Sequence, residues 1–300
     1  SNRGPTDYKF TLPCYFSIVG FHVLKLVNFG LRSYRYFVWS HGVCLANRGS
    51  NMADFLGTEG DDVIIGTDEP NWIQALGGND SVDAGAGTDS ISPGRGSDSI
   101  DGGDGNDLLT YEGVYDGVFL NNTASIENEI PAYSAISSDG LNQDTFVSVE
   151  NFHLSNGDDI FYTDASGYVF MRSGNDIAYI EGAEVHVIPG SGSDTIIADP
   201  DLLSSLSYSD DGFDNFGVAG ATITAGIQVS YDGNNPSLLS GQVVDGWRDI
   251  DTFIGINRIN GTVFGDVMTA AGTTQAVRFE GFDGNDLLTG GNGDDRLNGG

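Results

Sequence analysis

The chain has 300 residues and a formal net charge of −31, from 12 Lys and Arg against 43 Asp and Glu. So acidic a chain excludes nucleic acid as a partner, because that binding relies on Lys and Arg neutralising phosphates; cations are the natural counterpart. Both cysteines, Cys14 and Cys44, lie near the start, which excludes disulfides and thiolate metal sites from everything downstream.

Residues 1–51 stand apart. They carry Arg3, Lys9, Lys25, Arg32, Arg35 and Arg48 against Asp7 alone, and no lysine follows Lys25. The apolar stretch 10–24 resembles a signal-peptide core, but Pro13, His22, Lys25 and Asn28 interrupt it and no A-x-A site follows. It is too broken for a membrane span. The chain opens on Ser, and Met52 begins MADFLGTEGDD, which leads straight into the regular part. Residues 1–51 are therefore expected to be an atypical basic segment translated from upstream, dispensable for folding. A degenerate targeting segment and a small domain are the other readings.

Residues 57–110 contain six nine-residue units in register: GTEGDDVII, GTDEPNWIQ, ALGGNDSVD, AGAGTDSIS, PGRGSDSID and GGDGNDLLT. Position four is Gly in five of them, and position six is Asp in five and Asn71 in the other. Position eight is always aliphatic: Ile64, Ile73, Val82, Ile91, Ile100 and Leu109. Glycine permits a tight turn that aims carbonyl oxygens inward. A carboxylate added to those carbonyls makes a hard oxygen set of the kind calcium takes. The last three positions predict a short strand with only position eight facing in. One aliphatic per unit cannot form a core unless successive turns stack.

The pattern GGxGxDxUx resembles the RTX, or hemolysin-type, calcium-binding repeat of bacterial proteins. The resemblance implies an all-β fold, a parallel β-roll or β-solenoid in which two units make one coil. It also implies calcium between same-side turns eighteen residues apart. Carried onto this chain, the pairs are Asp62 with Asp80, Asp80 with Asp98, and Asp89 with Asp107; Asn71 with Asp89 is a weaker site, because an amide brings no charge. A calcium-free solenoid is the competing reading, although it has no need of Asp at position six. The unit 111–119 keeps Asp116 and Val118 but loses its glycines at positions one and four, a fading end to the block.

The frame returns in LSNGDDIFY, MRSGNDIAY and PGSGSDTII, which offer Asp159, Asp176 and Asp194. It returns again in GTVFGDVMT, GFDGNDLLT and GGNGDDRLN, which offer Asp266, Asp286 and Asp295. The predicted organisation is thus 1–51; a repeat block at 52–119; a strand-rich insert at 120–153; a degenerate block at 154–197; a second insert at 198–260; and a third block at 261–300 that stops mid-repeat. The inserts repeat as well. Asp144 corresponds to Asp251, Phe146 to Phe253 and Asp159 to Asp266, a constant offset of 107 residues. Residues 108–120 and 203–231 resemble each other in opening with an apolar-Tyr strand and closing on an alternating one. Ile223, Ala225, Ile227 and Val229 alternate with polar neighbours, the period of a half-buried strand.

No H-E-x-x-H and no G-x-S-x-G occurs, so the zinc protease and lipase signatures are missing. His153, near Asp158 and Asp159, reads as a strand or turn residue rather than a base. Trp72, Trp247 and the tyrosines read as packing at coil edges, with an extracellular glycan or surface partner left open. The resemblance implies several Ca²⁺ ions and an extracellular, secreted setting reached by type I export. Two functions are carried forward. One is a non-enzymatic calcium-folded scaffold or stalk. The other is the accessory calcium-binding part of a secreted protease, lipase or polysaccharide-modifying enzyme whose catalytic domain lies outside this chain.

Overall fold

The computed structural model describes residues 44–46, 53–209, 223, 225–233 and 237–300. The expectations on residues 1–51 lie outside the described residues, apart from the strand Cys44–Ala46, which pairs antiparallel with Ala53–Leu56. Among the described residues every regular element is a β-strand. No helix is long and apolar enough to cross a membrane.

The strands form two long sheets, of 12 and 15 strands, and successive units of the first block alternate between them. Each strand pairs in parallel with the strand one coil later: Ile64 lies beside Val82 and Val82 beside Ile100 in one sheet, Ile73 beside Ile91 in the other. The position-eight residues thereby stack into two inward columns. Ile64, Ile73, Val82, Ile91, Ile100 and Leu109 are all at most 2% exposed. A fully buried aliphatic of this size contributes roughly 1.5–3 kcal/mol, so the columns hold the coils together where a single unit could not.

The inserts continue the columns with larger side chains. Phe146 stands beside Ile100 and Phe152 beside Leu109. Their rings lie 5.4 Å apart, and Phe161 follows at 5.4 Å from Phe152. Each insert also contributes to a three-stranded antiparallel meander in the 15-stranded sheet. Val118–Asn122, Ser134–Ser137 and Gln143–Val147 form the first, and Gln228–Tyr231, Gly241–Val244 and Ile250–Ile254 the second. Beyond its opening strand pair, the 12-stranded sheet stays parallel throughout. The described residues therefore form an all-β roll, with the carboxylate-bearing turns at the starts of its strands.

Candidate cation rows along the turns

The turns are built from backbone that ordinary residues avoid. In the unit at 93–101, Gly94 and Gly96 have φ of 90° and 139°. Such angles favour glycine. Space is equally restrictive, since a Cβ on Gly96 would come within 1.6 Å of the Gly78 carbonyl oxygen one coil earlier. Stacked turns thus bring carbonyls and position-six side chains together along the edges of the roll.

The position-six side chains are ordered by one recurring bond. The N–H of Asp62 donates to Asp80 Oδ1 at 2.8 Å, that of Asp80 to Asp98 Oδ1 at 2.8 Å, and that of Asp98 to Asp144 Oδ1 at 2.9 Å. On the opposite edge Asn71 donates to Asp89 at 2.7 Å, Asp89 to Asp107 at 2.8 Å, and Asp107 to Glu150 at 2.8 Å. A third row runs from Val118 to Asp159 (2.6 Å), Asp159 to Asp176 (2.8 Å), Asp176 to Asp194 (2.8 Å) and Asp194 to Asp251 (3.0 Å). The last block repeats it, Ile227 to Asp266 and Asp266 to Asp286, with Val277 to Asp295 on the other edge.

That bond uses one oxygen of each carboxylate. The other is the informative one. In Asp80, Asp89, Asp98, Asp107, Asp176, Asp194 and Asp286 the Oδ2 atom is buried with no hydrogen-bond partner, as is Oδ1 of Asp62. A buried carboxylate oxygen without a partner is costly, and more so when charged. Among the described residues the ion pair is that of Arg172, the buried base of the middle block, with Glu112 at 2.9 Å, and Glu112 is not a member of the rows. Burial, the largest influence, and neighbouring carboxylates push Asp80 up to about 7, Asp176 to about 9 and Asp194 to about 8. Asp98 and Asp107 rise to about 6, again chiefly through burial.

These oxygens fit a hard cation. Calcium takes six to eight oxygens and accepts carbonyls beside carboxylates, the two donors the turns supply. Among the described residues no three acidic, His or Cys side chains gather into a metal-holding group. An ion in these rows would accordingly use one or two carboxylates and complete its shell with backbone carbonyls.

The remaining sequence candidates are placed differently. Asp159 accepts from Val118 N–H and the Ser155 hydroxyl on Oδ1, and from Ser155 N–H on Oδ2. Asp266 has the matching arrangement with Ile227 and Thr262. Asp295 accepts from Val277 and Gly291. All three carry the row bond but have both oxygens engaged. Conversely, Asp144, Glu150 and Asp251 join the rows although they lack the glycine at position four of the repeat, where Asn142, Ser148 and Asp249 stand. Asp245 also leaves a buried Oδ2 without a partner, and burial pushes it up to about 6. The signal for Asp144 and Asp251 was present: each begins D-T-F, positions six to eight of the repeat without its position-four glycine. His153 is a buried strand residue against Phe170, with ring centroids 4.3 Å apart, and burial followed by the Arg172 charge holds it down at about 4.

The raised carboxylates give a pH expectation for the ion-free protein. Their values in the folded chain, about 6–9, exceed the ordinary 3.8, so the folded state binds protons more readily. Its penalty is absent below pH ~4, grows as pH rises from there, and is complete above the folded values of ~6–9. In chelator, β-roll content should therefore be greater at pH ~5 than at pH ~8, while excess calcium should flatten the profile. Identical circular dichroism at the two pH values in chelator would show that carboxylate repulsion does not open the roll.

A two-sheet roll with carboxylate-bearing glycine turns defines a class of repeat protein. Residues 56–91, 94–117 and 279–300 match the family model for the RTX calcium-binding nonapeptide repeat, in four copies, and the chain carries those repeats. The match omits 154–197, where the same row is nevertheless built. Comparison with curated proteins gives no match. Among solved structures, the crystal structure of extracellular lipase LipA from Serratia marcescens is similar at 15% identity over 67% of this chain and 37% of that one, with a TM-score of 0.15. This chain thus spans little more than a third of the lipase's length, and a superposition at that level carries no argument.

Proposed function

We propose that this chain is a calcium-folded roll, the scaffold or stalk region of a secreted protein, with ions held between same-side turns by position-six aspartates. The observation that supports it is the row of buried carboxylate oxygens that have no hydrogen-bond partner among the described residues. Asp80 is central to the reading. Its neighbours on both sides, Asp62 and Asp98, each have a free oxygen, so it would serve two ions. Asp194 has one such neighbour, Asp176; on its other side, Asp251 has its second oxygen engaged by Tyr208. The sites with the fullest donor sets are Asp62–Asp80, Asp80–Asp98, Asp89–Asp107 and Asp176–Asp194. Asn71 N–H and amide both donate to Asp89 Oδ1, which makes that turn pair poorer. The calcium would supply positive charge to the rows, and the chain itself supplies position and dryness. An accessory role beside a catalytic domain outside this chain would use the same ions and differ only in what is attached.

Calorimetric titration tests the assignment. Asp80→Ala should lose about two ions per chain and Asp194→Ala about one, as sharing between turns requires for oxygen-ligated calcium. Equal losses from the two variants would count against the shared-turn geometry.

A further inference from the structure

Two rows end in the same way. Asp144 closes the first row with its Oδ1 on the Asp98 N–H, and its Oδ2 accepts from the Tyr111 hydroxyl at 2.9 Å. Asp251 closes the middle row with its Oδ1 on the Asp194 N–H, and its Oδ2 accepts from the Tyr208 hydroxyl at 2.7 Å. All four residues are buried. Both tyrosines immediately follow strands of the 12-stranded sheet, Leu108–Thr110 and Ser205–Ser207, whereas both aspartates belong to the 15-stranded sheet. Each phenol therefore spans the interior of the roll, a reach that Ser or Thr lacks. The two pairs are separated by 33 and 43 residues along the chain. The contact is thus kept although the intervening segments differ in length.

Inside the rows the equivalent oxygen of Asp80, Asp98, Asp176 and Asp194 has no partner. The starts of the second and third blocks are closed as well: Ser155 and Thr262 donate their hydroxyls to Oδ1 and their N–H groups to Oδ2 of Asp159 and Asp266. Thr58 instead places both its N–H and its hydroxyl on Asp62 Oδ2, at 2.6 and 2.9 Å, which leaves Asp62 Oδ1 open.

We propose that Tyr111 and Tyr208 terminate the cation rows: each phenol donates its proton to the carboxylate oxygen that would otherwise face a divalent cation, so that no ion binds between the last two turns of the row. A phenol is a neutral donor; it satisfies that oxygen without a metal and fixes where calcium stops. The inference rests on the calcium reading above and assigns its boundary. Removing the hydroxyl leaves the oxygen of Asp144 or Asp251 in the condition of the interior row members, beside Asp98 or Asp194.

The test is ion stoichiometry of the full chain in saturating calcium, by native mass spectrometry and calorimetry. Tyr208→Phe and Tyr111→Phe should each bind one additional ion, and the double variant two. An unchanged count with a lower melting temperature would make the bond purely structural and overturn the proposal. Asp251→Asn, which keeps an acceptor for Tyr208 but removes the charge, guards against misfolding of the phenylalanine variants. It should bind as many ions as the parent, and loss of an ion would show Asp251 to be a ligand already. A parent chain that binds no calcium at all would instead defeat the calcium reading itself.

Discussion

In chelator at neutral pH the chain should give the circular dichroism of an expanded coil, and millimolar calcium should convert it to a β-rich form. At ~1 mM ion and an assumed Kd of ~0.1 mM, within reach of extracellular calcium modules, each independent site contributes ~1.4 kcal/mol. The four sites with the fullest donor sets together give ~6 kcal/mol, within the range of the whole stability of an ordinary domain. At ~0.1 µM ion the same relation gives almost nothing. The ion-free roll meanwhile buries carboxylate after carboxylate with one oxygen unpartnered. Magnesium should substitute poorly, since it demands a small octahedral shell and dehydrates reluctantly. A β-rich spectrum indifferent to chelator would sink the switch and favour a calcium-free solenoid.

Gly96→Ala should be among the most damaging single-methyl changes in the chain. It forces a side chain onto φ of 139° and drives Cβ to 1.6 Å from the Gly78 carbonyl oxygen. That carbonyl belongs to the neighbouring turn and cannot retreat without opening the stack. The loss should exceed the ~1–3 kcal/mol of one strained residue. Gly113→Ala is the control: its φ is 68° and a Cβ there meets nothing within 4 Å, so only the ~1–2 kcal/mol left-handed penalty applies. Thermal melts in calcium should separate the two clearly. Equal shifts would mean that the close approach of successive turns is not what the glycine protects.

The repeated part of this architecture was legible because its period is short. Nine residues fix the turn, the carboxylate and the inward aliphatic together, and the buried columns from Ile64 to Leu109 follow directly. The ends of the rows were hidden because their partners are distant in sequence. Asp98 reaches Asp144 across 46 residues and Asp194 reaches Asp251 across 57, with a hairpin between. Local spacing gives no hint of a contact made around an insert. Saturation was hidden for a different reason. Asp159 and Asp266 follow a hydroxyl at position two, Ser155 or Thr262, but so does Asp62, after Thr58, and Asp62 keeps an unpartnered Oδ1. The tyrosines shared a recognisable strand pattern, but that pattern does not say that their hydroxyls cross the interior.

The backbone ladder and the carboxylate rows do not break at the same places. Parallel pairing in the 12-stranded sheet runs through both inserts, from Ile91 and Leu109 to Phe152 and onward through Val187, Leu206 and Ile259. The carboxylate rows stop at Asp144 and Asp251. In a stacked-repeat protein, stability is a sum of intrinsic and nearest-neighbour terms. Here one neighbour term is continuous and the other is partitioned. On the proposed calcium reading the ladder would act as a single rod, whereas ion loading would fall into separate compartments in series. Depleting one compartment would soften a segment of the rod while its neighbours stay rigid, so stiffness along the axis would be graded by calcium rather than lost all at once.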